Sequence, residues 1–433
     1  MAGIGFELKK LFNSRGLFAS FRAYGYAGVV CTGPMLLGIV LLLGVMYLCD
    51  KTGGSRHSRE LLVCMITYTL LFSLTVTSFL SMVVTRFIAD MLYEEKYDMV
   101  LPSFWGSTGI MLVAGGILYG IFLIFSGAGL MDSLLCLWLF GELTVTWNAM
   151  SYLTAIKDYR GIMLSFTAAI VITFISGWVL LMLGIPHVEA LLIAVAVGYG
   201  VMLLWDVILL YQYFPQGEKG AFLFLRWVDQ FLPLAFTGLF INIGLFAHLV
   251  IMWVGPLQVQ VQGLFVGAPY HDVPALVAFL TILVTTVNFV VSVEVNFYPK
   301  YKNYYSLFND KGAVGDITQA GEEMLKVLNV ELKYTAWKQL LATALAISLG
   351  GGTVLFTVIS LFFPRVYYGF GFLTGSAVFF LIAAFRLDYY TKRLPYYILS
   401  VQPVVAREKR GKFSRLGFFL SKKLERSQNS EKI

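Results

Sequence analysis

The chain has 433 residues, of which 58% are apolar and only 13% charged, and its mean hydropathy is +0.77. Soluble domains are roughly 45–50% apolar and about 25% charged. This composition therefore excludes a soluble enzyme, a secreted domain and a disordered protein, and it leaves an all-α polytopic membrane protein. The net charge of +7 must then lie in segments outside the membrane.

The first segment, 1–23, is predicted to be a cytoplasmic amphipathic helix at the membrane surface. Apolar residues such as Phe6 and Phe12 alternate at helical spacing with Lys9, Lys10 and Arg15. The segment lacks the apolar core and the cleavage site of a signal peptide. Phe6 and Lys9 are candidate contacts for a partner protein.

Ten segments are apolar over about 20 residues, which is the length that a helix needs to cross the hydrocarbon of a bilayer. The first six form a predicted six-helix bundle at 24–213, and a cytoplasmic linker follows at 214–226. The remaining four form a shortened second bundle at 227–386, and a basic cytoplasmic tail occupies 387–433. The ten predicted spans are 24–48, 61–84, 104–126, 133–156, 162–184, 189–213, 227–253, 273–296, 339–362 and 367–385.

Basic residues decide the orientation of these spans. If the N-terminus is inside, all but four of the 32 Lys and Arg residues fall in cytoplasmic segments; the exceptions are Lys51, Arg56, Arg59 and Arg365. An excess of Lys and Arg marks the cytoplasmic side, so both termini are predicted to be cytoplasmic. The tail 387–433 is expected to bind anionic lipid, and a nucleic-acid partner is not expected.

Neutral polar residues inside the spans are candidates for a functional site, because polar groups are costly in hydrocarbon. The eighth span carries them at spacings of four, three, four and four, which places them on one helical face. Such stripes either hold helices together or line a hydrated pathway. No predicted span has Lys or Arg in its core, so the pathway suits a neutral sugar better than a phosphate. The candidate pathway residues are Thr281, Thr285, Asn288 and Ser292, followed by Asn296, with Asn242 in the seventh span and Ser78 and Ser81 in the second.

Four of the acidic residues within the predicted spans are also candidates for a functional site. Glu142 is the most central, and it is a candidate for both the pathway and ion coupling. Asp206, Asp229 and Glu294 lie nearer the cytoplasmic ends, where a carboxylate can reach water, and they are candidates for coupling or for a vestibule. No catalytic motif, nucleotide-binding loop or metal-spaced cluster occurs, so we expect no enzymatic activity, cofactor or metal. The four cysteines, Cys31, Cys49, Cys64 and Cys136, are predicted to be buried thiols.

The longer loops are predicted on the cytoplasmic side. Residues 85–101 continue the second span as a helix, and 297–338 form an insert with two helices around Gly312 and Gly315. These loops either dock a partner or simply connect spans at the membrane surface. The candidate docking residues are Glu94, Glu95, Tyr301, Glu322, Met324 and Leu328.

Several segments resemble the PelG family of exopolysaccharide exporters, which belongs to the multidrug/oligosaccharidyl-lipid/polysaccharide flippases. The resemblance implies two six-helix bundles around a central cavity in the bacterial cytoplasmic membrane. It also implies a PelF-like cytoplasmic glycosyltransferase and PelD- and PelE-like membrane proteins as partners. The family pattern has twelve spans, whereas ten are predicted here, and the missing spans are expected near 340–362. The matching segments are MAGIGFELKKLF, RAYGYAGVVCTGPMLL, TRFIADMLYEEKYDMVLPSF, YLTAIKDYRGI, VEVNFYPKYKNYYSLF and YYGFGF.

Together these features predict export of a hydrophilic, Pel-like exopolysaccharide as part of a synthase complex. An ion-coupled transporter of small solutes is one alternative, and it would use Glu142 as the coupling acid. A non-transporting scaffold is another, and it would anchor a glycosyltransferase through 85–101 and 297–338.

Overall fold

The computed structural model describes residues 28, 36–156, 158–217, 220–255, 257–310 and 312–349. The segment 1–23, the span 367–385 and the tail 387–433 lie outside these residues, as do Phe6 and Lys9. The described part is helical apart from one short β-hairpin, so the prediction of a helical polytopic protein is confirmed.

Six helices of the described part, α2 to α6 and α8, are long and apolar enough to cross a membrane, and the chain is a multi-pass membrane protein. The total of ten spans stays a prediction. The elements in chain order are α1 (36–51), α2 (Arg56–Tyr93), α3 (Val100–Phe125), α4 (Leu130–Ala155), α5 (Tyr159–Met182), α6 (His187–Tyr213), α7 (Leu225–Gln230), α8 (Leu232–Val254), β1 (Val259–Gln262), β2 (Phe265–Gly267), α9 (Pro269–Ser292), a π-helical turn (Val293–Phe297), α10 (Tyr298–Asn309) and α11 (Val314–Leu349).

The chain divides into two compact units. The larger one comprises 33–269 with 408–433, and its described part holds α1 to α8 and both strands. The smaller one comprises 1–32 with 270–407, and its described part holds α9 from residue 270, the π-helical turn, α10 and α11.

Local sequence explains where several helices begin and end. The Ser55 hydroxyl accepts the Ser58 N–H at 3.0 Å at the start of α2, and the Asp158 carboxylate accepts the Gly161 N–H at 3.0 Å at the start of α5. Gly184 follows α5 with φ of +81°, a conformation that glycine adopts without strain. The second span continues as one helix to Tyr93. The predicted helix over 85–101 is wrong beyond that residue, because the chain turns at Glu95, which has φ of +58°, and α3 begins at Val100.

Two apolar clusters form the core of the larger unit, one towards each end of α2. Leu62, Tyr119 and Leu191 are fully buried in the first cluster, and Phe87 and Phe104 in the second. The thiols of Cys49, Cys64 and Cys136 are buried, as predicted, while Cys31 lies outside the described residues.

The loop between α8 and α9 folds into an antiparallel hairpin of β1 and β2, with a register shift between Gln260 and Gln262. Phe265 is fully buried against the rings of Tyr68 and Phe122, at centroid distances of 5.4 and 5.7 Å. The Tyr68 hydroxyl donates to the Val266 carbonyl at 3.1 Å. The hairpin is therefore held on the ends of α2 and α3 that the predicted orientation places outside.

In the smaller unit, α9 leads through the π-helical turn into α10. Pro299 lies in the first turn of α10, and it lacks the N–H that an uninterrupted α-helix would use. A widened turn immediately before a proline relieves the clash of its ring with the preceding carbonyl groups. The π-helical turn falls on the VEVNF sequence of one PelG-like segment.

Helix α11 packs against α10, and Tyr304, Ala320 and Met324 are buried between them. The two predicted helices of the insert 297–338 are therefore present. However, α11 continues without a break through residue 338 to Leu349, so the end of the insert and the start of the predicted ninth span form one helix. No Gly or Pro interrupts 322–349, where Leu, Ala, Lys and Glu favour a helix.

Candidate functional site

The larger unit contains polar side chains between its two apolar clusters. We call this set the polar layer. Its members on α2, α4, α5 and α6 are the buried Ser73, Thr77, Ser78, Thr144, Thr146, Asn148, Ser165 and Asp206 and the half-buried Glu142.

Glu142 lies on α4, and its two carboxylate oxygens have different environments. Trp138 Nε1 donates to Oε1 at 2.7 Å, whereas Oε2 is buried with no hydrogen-bond partner among the described residues. Gly200 of α6 lies close by, since a Cβ at that position would be 3.1 Å from Oε1. A half-satisfied carboxyl group inside a membrane helix can take up a proton or a cation, so the geometry fits a coupling residue.

Asp206 is fully buried on α6. Its oxygens make no hydrogen bond of normal geometry within the described part of the chain, although Ser165 of α5 interacts with the carboxyl group. Asp229 is different, because it lies on the short helix α7 and not within the apolar helix α8. Its predicted place inside the seventh span is therefore wrong, since that helix begins at Leu232.

Sequence reasoning missed Asn148, a fully buried amide on α4. Its Nδ2 donates to Ser107 Oγ and Thr108 Oγ1 of α3, both at 2.9 Å. The neighbouring Trp147 Nε1 donates to Ser73 Oγ of α2 at 3.0 Å. Asn148 could have been found from the sequence, because it is an amide in the middle of an apolar segment. Asn242 was predicted as a pathway residue for that same reason.

The predicted stripe on α2 is satisfied within its own helix. Ser78 Oγ donates to the Thr75 carbonyl at 2.7 Å, and Ser81 Oγ donates to the Ser78 carbonyl at 3.2 Å. Asn242 likewise donates to the Gly238 carbonyl of α8 at 3.4 Å. A Cβ on Gly238 would lie 2.5 Å from the Ser78 carbonyl oxygen, so α2 and α8 pack very closely. These contacts favour the packing alternative for this group.

The stripe on α9 meets a complementary stripe on α11. Ser292 Oγ and Asn296 Nδ2 donate to the two oxygens of Glu331, at 2.6 and 2.7 Å. Asn288 Nδ2 donates to Thr335 Oγ1 at 3.2 Å, and Lys338 Nζ donates to Asn288 Oδ1. We call these side chains the polar seam: Asn288, Ser292, Asn296, Glu331, Thr335 and Lys338.

The polar seam changes the chemistry that the sequence predicted for this face. The stripe itself is neutral, but α11 adds a carboxylate at Glu331 and an ammonium group at Lys338. Thr281 and Thr285 belong to α9 and Glu294 to the π-helical turn, and their side chains lie outside the described part of the structure.

The predicted docking residues lie mainly at the surface. Glu94, Glu95, Tyr301 and Glu322 are exposed, and Leu328 is half-buried. Met324 is only 2% exposed, so its predicted docking role is wrong in this structure. It packs inside the hairpin of α10 and α11 because the apolar stripe of α11 faces α10.

An ion pair also joins the helices of this hairpin. Lys300 Nζ of α10 and Glu323 Oε2 of α11 are 2.8 Å apart. The hydrogen bond and positive charge of Lys300 lower the pKa of Glu323, so the pair persists down to a pH below the usual range of a glutamate. Over the described ranges, no group of three His, Cys, Asp or Glu side chains could hold a metal ion.

The family model PelG, described as an exopolysaccharide exporter (EPS-E), matches residues 1–352. No curated protein matches the chain. Among solved structures, the crystal structure of the eukaryotic MATE transporter AtDTX14 is 12% identical, with 87% of this chain and 79% of that chain covered and a TM-score of 0.32. Since the family model covers well over half of the chain, the protein belongs to the PelG family of exopolysaccharide exporters.

Proposed function

We propose that this protein exports a hydrophilic exopolysaccharide across the bacterial cytoplasmic membrane. The observation that carries the proposal is the PelG match over residues 1–352, which include the polar layer and the polar seam. Amide, hydroxyl and indole groups inside membrane helices supply the hydrogen bonds that a neutral sugar chain needs. On this proposal the chain is a transporter and not an enzyme.

The export proposal includes partners on the cytoplasmic side. A PelF-like glycosyltransferase would deliver the polymer, and PelD- and PelE-like membrane proteins would complete the complex. Exposed residues on each unit support docking there, namely Glu94 and Glu95 on the larger unit and Tyr301 and Glu322 on the smaller one. Both termini would be cytoplasmic, and the basic tail 387–433 would contact anionic lipid.

Deletion of the chain in cells that make the polymer tests the export proposal. We expect extracellular polymer to disappear and to return when the full chain is supplied again. Polymer inside the cell is measured in parallel. Extracellular polymer at its normal level after deletion would refute export by this protein.

The scaffold alternative makes a different prediction for the eighth span. Replacing Thr285 and Asn288 together by Leu removes polar groups from the stripe but leaves the exposed docking residues in place. Export should fall, whereas a scaffold would keep its function. Thr318→Leu is the matched control, because Thr318 is an exposed hydroxyl on α11 that donates only to the Val314 carbonyl. Protein in the membrane fraction is quantified for each variant.

Ion-coupled transport of small solutes is the second candidate function, and the buried Oε2 of Glu142 favours it. The substitution Glu142→Gln keeps an oxygen that accepts from Trp138 but removes the charge. If the isolated protein transports small solutes into vesicles without partners, and Glu142→Gln abolishes that transport, this candidate replaces polymer export.

A further inference from the structure

The second half of α11 has an exposed apolar face. Val330, Tyr334 and Trp337 are 41, 58 and 69% exposed, and their spacing of four and three places them on one side of the helix. The residue after each of these three contacts α9, namely Glu331, Thr335 and Lys338. An exposed stripe of Val, Tyr and Trp is typical of a helix face in contact with lipid near the membrane interface.

Contacts with α9 give the depth of α11 in the membrane. Ser292 bonds Glu331 and Asn288 bonds Thr335, so the two helices run antiparallel with matching steps of four residues. The predicted eighth span ends at 296 on the cytoplasmic side, which places Glu331 just inside that boundary. From Glu331 the helix continues to Leu349, a rise of about 27 Å at 1.5 Å per residue. The hydrocarbon core is about 30 Å thick.

We propose that residues 330–349 are the ninth membrane span and that Lys338 is a specificity-determining cation within it. The first part rests on the contacts between α9 and α11 and on the predicted end of the eighth span, whereas the role of Lys338 rests on the proposed export function. Lys338 lies two helical turns beyond Glu331, about 10 Å deeper in the membrane. The sequence pattern placed the span at 339–362, with Lys338 at the membrane surface.

The chemistry of Lys338 indicates what it recognises. An ammonium group inside the membrane is stable only with polar partners, and Lys338 Nζ uses one of its three N–H donors on Asn288 Oδ1. The other two donors can bind hydroxyl and carbonyl oxygens of a neutral sugar chain. A positively charged sugar would be repelled at this position.

Cysteine labelling tests the position of the span. The full chain with its four native cysteines replaced by Ala receives Glu322→Cys, Ala342→Cys or Leu349→Cys. A membrane-impermeant maleimide is then applied to spheroplasts or to inside-out vesicles. We expect labelling of Leu349→Cys only from outside and of Glu322→Cys only from inside, with Ala342→Cys protected from both. Protection of Leu349→Cys on both sides would overturn the proposed span, and this result does not depend on export.

Substitution tests the role of Lys338. We expect Lys338→Met to lower exported polymer by about tenfold at an unchanged protein level, and Lys338→Arg to retain most export. Lys333→Met is the matched control, because Lys333 is exposed on the same helix, and it should export normally. If the Met variant is absent from the membrane, Lys338→Gln replaces it, since Gln can still donate to Asn288. Normal export by a neutral variant would overturn the role of Lys338, whereas the deletion experiment tests export itself.

Discussion

At the scale of single residues, Phe265 fixes the β-hairpin to the helices beneath it. Its ring is fully buried, and Tyr68, which it contacts, also stacks on Trp253 of α8 with a centroid distance of 4.6 Å. One side chain thus joins the hairpin to a group of rings from three helices. Deleting it leaves a cavity that these rigid rings cannot easily fill.

We therefore expect Phe265→Ala to lower the free energy of unfolding by about 3 kcal/mol. Thermal unfolding of the purified protein in detergent measures the change. Leu264→Ala is the control, because Leu264 is the adjacent residue and its side chain is exposed. Equal effects of the two substitutions would show that the buried ring does not anchor the hairpin.

Asn148 contributes to the stability of the protein through hydrogen bonds. Asn148 belongs to the polar layer, and its amide donates to two hydroxyl groups of α3. Hydrogen bonds between membrane helices contribute about 0.6 kcal/mol on average and about 1.7 kcal/mol at most. We expect Asn148→Ala to destabilise the protein by about 1 kcal/mol in the same unfolding assay. Asn303→Ala, on the exposed side of α10, should leave the midpoint unchanged.

At the scale of secondary-structure elements, close helix packing depends on small residues. Gly238 of α8 lies against the backbone of α2 at Ser78, whereas a Cβ on Gly244 of the same helix would have no atom within 4 Å. Membrane helices approach most closely where such small residues face each other. The two glycines therefore form a natural pair for comparison.

We expect Gly238→Leu to push α8 away from α2 and to cost about 2 kcal/mol or more of stability. Gly244→Leu adds the same volume at a position with open space, so it should be tolerated. The yield of folded protein in the membrane and the thermal midpoint measure both effects. Similar losses for the two variants would contradict close packing of α8 on α2 at Gly238.

At the scale of the whole molecule, the distribution of basic residues predicts which ends of the helices face the cytoplasm. The β-hairpin then lies outside, and the turn after α2 lies inside. Exposed side chains mark both places, namely Gln260 on β1 and Glu95 after α2. All of the spans are oriented together, because reversing one orientation would move every cytoplasmic loop to the outside and every outside loop to the cytoplasm.

Labelling of Gln260→Cys and Glu95→Cys tests this orientation. In a chain without native cysteines, a membrane-impermeant maleimide should modify Gln260→Cys in spheroplasts and Glu95→Cys only in inside-out vesicles. The opposite pattern would place both termini outside. It would also leave a cytoplasmic glycosyltransferase without access to the proposed docking surface.

Properties that depend on local pattern can be predicted from the amino-acid sequence of this protein. Runs of apolar residues identify the membrane helices, basic residues predict the sides, and Ser55 and Asp158 mark helix starts, because each of these signals acts within a few residues. Glu142 and Asn288 were found in the same way, since a polar group in an apolar run is visible without knowing its neighbours.

Contacts between residues that are distant in the chain are visible only in the folded structure. Glu331 and Lys338 look like surface charges in the sequence, and only the antiparallel packing of α11 on α9 brings them to Ser292 and Asn288. The same packing buries Met324 against α10. Helical periodicity states which residues share a face, but it does not state which other helix covers that face. The charge within the polar seam therefore follows from the register between two helices, and that register is a long-range property of the fold.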